Sequence, residues 1–313
     1  MDKTFFDQRI QSATHPLPGD TPRPTHYRLP VKQKYEGYNV IDFFLEVVPR
    51  STREIWENKI ETQNLHINGK PAQKNSILKG GYITEHRSEP RTEPKVANDI
   101  SLLYCDANLL VINKPAPLPM HPSGRFNYNS LTEILKRAFP EEDLKIIHRL
   151  DANTTGIVVL ARNKEIIPNI SAQFENKSAQ KKYIALVEGS PKKNHFSTGI
   201  KIGLEKTAGG GRAKNKKGVE AYTEFNVLER YATQTLLEVT PHTGRTNQIR
   251  LHLASLDLPI VGDYGYQDPT YFRNNPLTYP EDCLFLHAWQ LKLQYQNSEI
   301  TFEAPIPSKF KKN

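Results

Sequence analysis

Ile147-His148-Arg149-Leu150-Asp151-Ala152-Asn153-Thr154-Thr155-Gly156-Ile157-Val158-Val159-Leu160 is the stretch around which the rest of the chain is arranged. Its second half, Ile157 to Leu160, is an unbroken apolar and mostly β-branched run, the pattern of a buried strand. Asn153 to Gly156 carry turn chemistry, because Asn and Thr side chains bond nearby backbone and Gly accepts open dihedrals. Asp151 is therefore expected on a tight loop ahead of a rigid strand, where catalytic groups are often held. The simpler reading is a turn aspartate bonding neighbouring amides. The remainder of the chain decides between the two.

Downstream of that stretch, residues 166–174 have helical spacing, and Lys181-Lys182-Tyr183-Ile184-Ala185-Leu186-Val187 reads as a strand. Residues 201–219 are rich in Lys, Arg and Gly, including Gly209-Gly210-Gly211-Arg212, but lack the Gly-Lys-Ser/Thr ending of a phosphate-binding P-loop. A basic loop facing a polyanionic partner and a solvated insertion are both consistent with them. Residues 220–228 and 235–239 read as adjoining strands. Next comes Thr243-Gly244-Arg245-Thr246-Asn247-Gln248-Ile249-Arg250-Leu251-His252. There Gly244 permits a turn, Thr246 can cap a helix, and Ile249, Leu253 and Leu256 would face inward.

Upstream, residues 102–104 and 109–112 are strand-like and lead into Asn113-Lys114-Pro115-Ala116-Pro117, while residues 130–139 have helical spacing. Residues 87–94, charged and Pro-containing, read as a linker. Residues 31–90 read as a separate small module. Val40, Phe43, Phe44 and Val47 mark one helix, and Ser51 with Glu54 fits a capping box opening a second. Leu65-His66-Ile67 then runs into Asn68-Gly69, a strong hairpin signal, and residues 77–83 add a strand-like piece. Pro16, Pro18, Pro22, Pro24 and Pro30 suggest that residues 1–30 form an irregular arm.

A length of 313 residues suits two domains, and 37% hydrophobic residues can build a core. Lys and Arg number 42 against 34 Asp and Glu, a net charge of +8 with a pI near 9.2, which points to a polyanionic partner such as nucleic acid. Two isolated cysteines, Cys105 and Cys283, exclude a disulfide scaffold and give no zinc spacing. No secretory signal and no apolar run of roughly 20 residues, the length that spans a membrane, is found. A cytoplasmic protein, monomeric and without a membrane partner, is the expectation.

The His148-Arg149-Leu150-Asp151 loop resembles the signature of the RluA-type RNA pseudouridine synthases. So, in order, do Asn113-Lys114-Pro115-Ala116 through His121-Pro122, the strand tyrosine Tyr183, Thr243-Gly244-Arg245 with Gln248-Ile249-Arg250 and His252, and Pro259 through Asp263. Pro117 stands where the family usually has glycine, and Asn247 where histidine is usual. Residues 31–90 resemble the small S-four-type RNA-binding module. The resemblance implies an α+β protein: a mixed, mainly antiparallel catalytic sheet with flanking helices over residues 99–313, preceded by the α/β module. It further implies isomerisation of uridine in ribosomal or transfer RNA, with Asp151 essential.

That reaction breaks an N-glycosidic bond and remakes the link through carbon, with no redox change, so no cofactor and no metal is expected. A carboxylate suits it either as a nucleophile at the sugar or as a base. Arg250 is the expected cation beside Asp151; at 4 Å, near a protein surface, such a pair gains on the order of 4 kcal/mol. Tyr183 is expected to stack on the freed uracil or relay a proton, and Arg149 to fill the stack vacated by a flipped base. In the catalytic domain Arg245 is a candidate for contacting phosphate or fixing its loop, His148 for bonding phosphate or supporting its loop, and Lys114 for contacting RNA. In the small module Arg50, Arg53, Lys59 and Lys70 either face phosphate or are simply solvated. Two rivals are a non-catalytic RNA-binding or ribosome-assembly protein of the same fold, and a carboxylate-based nuclease or glycosidase. The second usually needs clustered acids or a metal, and the region around Asp151 offers one acid.

Overall fold

The computed structural model describes residues 1–49, 51–206, 211–267 and 284–310. The chain forms two compact units, Thr21–Thr92 and a larger one made of Met1–Asp20 with Glu93–Asn313. The small unit is thus an insertion into the sequence of the large one.

The chain opens with helix α1 (Lys3–Thr14), capped by the Asp2 side chain, which accepts from the Phe5 amide at 2.9 Å. This corrects the expected irregular arm over residues 1–30. Phe6, Ile10 and Ala13 fall on one helical face and are buried in the main core with Leu131, Leu135 and Phe139. The prolines that suggested an arm begin only at Pro16, beyond the helix.

The small unit holds β1 (His26–Pro30), α2 (Val40–Val47), α3 (Arg53–Glu61), β2 (Leu65–Ile67), β3 (Lys70–Pro71) and β4 (Ile83–Arg87), with sheet order β1-β4-β2-β3. Phe43, Phe44, Trp56, Leu65 and Leu78 fill its core. Asn68 and Gly69 both adopt positive φ, 50° and 76°, as the predicted hairpin turn demands. The strand expected over residues 77–83 starts only at Ile83, because Gly81 at φ 84° turns the chain first. The capping box does not form: the Ser51 hydroxyl instead donates to the Val48 carbonyl and accepts from the Trp56 indole.

The large unit contains β5 (Ser101–Cys105), β6 (Leu109–Lys114), α4 (Leu131–Ala138), β7 (Lys145–Ile146), β8 (Thr155–Ala161), α5 (Ile167–Glu175) and β9 (Gln180–Glu188). It continues with β10 (His195–Thr198), β11 (Ile202–Lys206), β12 (Arg212–Lys214), β13 (Thr223–Arg230), β14 (Gln234–Pro241), α6 (Gln248–Ser255), α7 (Tyr264–Gln267), β15 (Leu286–Tyr295) and β16 (Ser298–Glu303). Among the described residues the main sheet runs β10-β13-β14-β9-β15-β8-β6-β5, with β16 on β15 and β7 on β8. All its described pairings are antiparallel except β15 with β8. The fold is therefore α+β with a mixed, mainly antiparallel sheet.

Every residue of β8 is buried. Val158 and Leu160 join the core formed with α1 and α4, while Ile157 and Val159 join the one formed with Ile170 of α5. Cover on both faces explains the unbroken apolar run. Gly156 is obligatory here: at φ +113°, an added Cβ would meet the Ala288 carbonyl of β15 at 2.2 Å.

The expected linker over residues 87–94 divides. Arg87 closes β4, whereas Glu93 is buried, its carboxylate accepting from the amides of Asn127, Tyr128 and Asn129 at 2.8–2.9 Å. Within residues 201–219, β11 and β12 pair as an antiparallel ribbon. Gly209, Gly210, Arg50 and Cys283 lie outside the described residues.

Candidate active site

Asp151 sits between β7 and β8, on the loop that enters the buried strand. The Thr154 amide closes the turn onto the Asp151 carbonyl at 3.1 Å, and the Leu118 amide donates to Ala152 O at 2.9 Å. Lys114, at the end of β6, is 0% exposed. Its ammonium donates to the carbonyls of Pro115, Leu118 and Ala152 at 2.8, 3.0 and 3.1 Å. A buried ammonium thus ties the loop after β6 to the loop that carries Asp151, and its own charge is met by carbonyl dipoles.

The first turn of α6 presents Arg250 to this carboxylate, Nη1 to Asp151 Oδ2 at 3.1 Å. The rest of the guanidinium is held by Asp263, with Nε and Nη2 at 2.8 and 2.7 Å from its two oxygens. It also lies over the Tyr266 ring, 5.0 Å from the centroid. The Asp263 side chain is 2% exposed, Arg250 13% and Asp151 33%, so the cation is fixed from behind and the Asp151 carboxylate faces the open side. Burial opposes the charge on Arg250, but the hydrogen bonds and charge of Asp263, then that of Asp151, outweigh it and hold the guanidinium protonated more firmly than usual.

Tyr183 of β9 borders the same space. Burial first, and the negative charge of Asp151 second, push its phenol up from the ordinary value of 10.0, so the ring is present as neutral phenol. These groups open on a cavity of about 450 Å³ lined by Arg149, Asp151, Lys181, Tyr183, Arg245 and Arg250 among others.

Residues 108–255, which include Asp151, Tyr183 and Arg250, match the family described as RNA pseudouridylate synthase. The chain is 31% identical over 273 residues to a protein of Synechocystis sp. named an uncharacterized RNA pseudouridine synthase, covering 86% of this chain and 94% of the relative. It is 30% identical over 309 residues to the ribosomal large subunit pseudouridine synthase C of Buchnera aphidicola, covering 92% and 96%. The chain belongs to the RluA-type RNA pseudouridine synthases. The solved structure of human RNA pseudouridylate synthase domain containing 4 is similar to it, with a TM-score of 0.54 at 29% identity, covering 67% of this chain and 89% of that one.

The remaining candidate residues of the synthase separate by burial. Arg149 is exposed beside the cavity, and Arg245 is exposed with Nε donating to the Glu220 carbonyl at 3.2 Å. His148 is not a cation for phosphate. Its Nε2 accepts from the Val159 amide at 3.1 Å, its ring stacks on Phe174 at 4.7 Å, and burial, helped by the charge of Lys181, lowers its pKa to about 3. Lys114 is likewise no RNA contact, being fully buried under the loop it clamps. In the small unit, Arg53 and Lys70 are exposed, and Arg53 pairs with Asp42 at 2.7 Å. Lys59 is turned onto the Arg87 carbonyl.

Three supporting residues had no role in the sequence reading of the site, although Gln248 and Asp263 stand in the motifs quoted there. Asp263 and Tyr266 follow α6 and hold Arg250, and Gln248 ties its helix to the start of β13. The Gln248 amide donates to the Tyr222 carbonyl and the Thr223 hydroxyl at 3.0 and 2.9 Å, while its oxygen accepts from Thr243 and from the Arg245 amide. The start of α6 also differs from expectation. Its N-cap is Asn247 at φ 58°, not Thr246.

Proposed function

We propose that this synthase isomerises particular uridines of structured ribosomal or transfer RNA, with Asp151 as the carboxylate that acts on the nucleotide. The observation that carries the reading is the solvent-facing Asp151 held at 3.1 Å by an arginine that Asp263 pins from behind, at the edge of a cavity of about 450 Å³. Arg250 stabilises negative charge on Asp151 and, being fixed, needs no reorganisation as the reaction proceeds. The carboxylate either attacks the anomeric carbon or takes a proton from the neighbouring sugar carbon; the bond from the anomeric carbon to uracil N1 breaks. The uracil then rotates and carbon five bonds to the anomeric carbon, as the carboxylate's bond to that carbon breaks or, in the second route, as the neighbouring sugar carbon takes its proton back. Carbon five then loses its proton while N1 gains one. Tyr183, a neutral phenol, is suited to stack on the freed base or pass a proton through its hydroxyl, and unsuited to act as a phenolate base.

A paired uridine must leave its stack before it can reach this cavity, at a cost of a few kcal/mol. Arg149 is two residues from Asp151, exposed, and planar, which suits it to the vacated position. The small unit serves in this reading as an RNA clamp of the S-four type, supported by its exposed Arg53 and Lys70.

The test is to map pseudouridine in total RNA with and without the protein, and to repeat it with Asp151→Asn. The expected result is new pseudouridine at discrete sites, an Asp151→Asn protein slower by at least about 1,000-fold, and RNA binding retained. Unchanged RNA would favour a binding protein, cleaved RNA a nuclease, and an active Asp151→Asn protein would end the mechanism.

A further inference from the structure

Lys181 is a cation that the mechanism above leaves unused. It lies on β9 two residues before Tyr183, so the pleat sends both side chains to one face, and both line the cavity. Its ammonium lies on the side of Gly244 where a side chain would project, 3.4 Å from the position of an added Cβ. It is also close enough to His148 to oppose protonation of that ring.

Lysines withdrawn from water are ordinarily paired with a carboxylate or tied to carbonyls, as Lys114 is to three of them. Lys181, half-buried at the cavity wall, has neither: among the described residues no hydrogen bond or ion pair reaches its ammonium, and burial alone lowers its pKa. Of the other cations of the cavity wall, Arg250 is engaged by Asp263 and Asp151 and Arg245 through Nε by the Glu220 carbonyl, while Arg149 stands exposed to water.

We propose that Lys181 binds a phosphate of the target nucleotide, so that a charge left unanswered in the free protein is met only when RNA is seated. This rests on the reading of the cavity as the site of a flipped uridine. An ammonium is a compact point charge with three donors, suited to a phosphate oxygen. An unanswered charge also weakens the free fold, a cost accepted at binding sites. Removing Lys181 should therefore leave stability equal or higher while weakening binding, the opposite of what a structural lysine would do.

Full-length protein, Lys181→Met and Lys181→Arg are to be titrated with uridine, uridine 3′-monophosphate and uridine 5′-monophosphate, and with total RNA at several salt concentrations. Wild type and Lys181→Arg should hold one of the monophosphates about 10- to 100-fold tighter than uridine. Lys181→Met should lose that advantage, bind uridine as wild type does and melt no lower. Its RNA affinity should depend on salt less steeply, by about 0.7 log units per decade of salt.

Equal losses for uridine and both monophosphates would assign Lys181 to the base or sugar, and an unfolded or clearly destabilised Lys181→Met would make it structural. Either result overturns the proposal. The nucleotide titrations read phosphate binding whether or not RNA is isomerised, and pseudouridine formation by the unaltered protein is read separately.

Discussion

Arg250 with Asp263 and Arg53 with Asp42 are arginine–aspartate pairs at the same distance, 2.7 Å. Their side chains are 13% and 2% exposed in the first pair and 51% and 55% in the second. Distance says nothing of the difference between them. In the exposed pair, water screens the attraction and two long side chains lose freedom to make it, so such pairs are worth about 0–1 kcal/mol. In the buried pair neither ion retains much water, and removing one partner strands the other. The buried pair is therefore fit to hold a guanidinium rigidly against the carboxylate of Asp151, and the exposed one leaves Arg53 free to exchange its aspartate for a phosphate.

The sharpest way to break this contrast is Asp263→Asn. It should cost about 3–5 kcal/mol of stability and slow isomerisation, while RNA binding survives; denaturant melts and single-turnover rates check both. Next, Arg250→Ala should lower the rate about 100- to 1,000-fold, far beyond Arg245→Lys, since of these two arginines Arg250 is the one bonded to Asp151. Small, equal rate effects with weaker RNA binding would instead assign both arginines to phosphate.

A third test uses the buried imidazoles. His148 and His287 have pKa values lowered by burial to about 3 and about 4, against an ordinary 6.5. Between those values the unfolded chain carries protons that the folded chain refuses, so stability falls as pH drops below about 6.5. At pH 5 each ring costs up to about 2 kcal/mol relative to pH 7. Thermal melts at the two pH values should show the loss, and a His148→Gln protein should lose less. A melting temperature unchanged from pH 7 to pH 5 counts against the neutral-ring assignment.

The smallest expected effect belongs to the surface pair. Asp42→Asn should shift stability by less than about 1 kcal/mol. If Arg53 meets RNA, Arg53→Ala should flatten the salt dependence of binding by about 0.7 log units, the share of one phosphate. A salt slope unchanged in Arg53→Ala leaves that arginine outside the RNA interface.

Much of the site is legible along the chain where its determinants are local. The apolar run after Asp151 marks β8, and the Thr243 to His252 motif brings Arg250 to Asp151 across 99 residues of sequence. What could not be read in this way depends on burial. Lys114 and His148 look like RNA contacts because both residue types often meet phosphate; the packed loops around them make one a clamp on carbonyls and the other a neutral acceptor. Helix α1 carried its signal in Phe6, Ile10 and Ala13, but the following prolines masked it, and the core that receives this face lies more than a hundred residues away.

The sequence by itself determined the elements whose signals are short-ranged: the strand periodicities, the Asn68-Gly69 turn, the helix of residues 131–138, and the order of motifs that marks the family. Only the tertiary structure decided which charges stay in water. Asp263 reads as one acid after a glycine, and becomes the anchor of Arg250 because α6 and the segment after it fold against each other. Lys181 is one of two adjacent lysines, and the pleat of β9 turns it into the cavity beside Tyr183. The physical reason is that desolvation is a property of the whole packed environment, whereas propensity and turn chemistry belong to a few neighbouring residues.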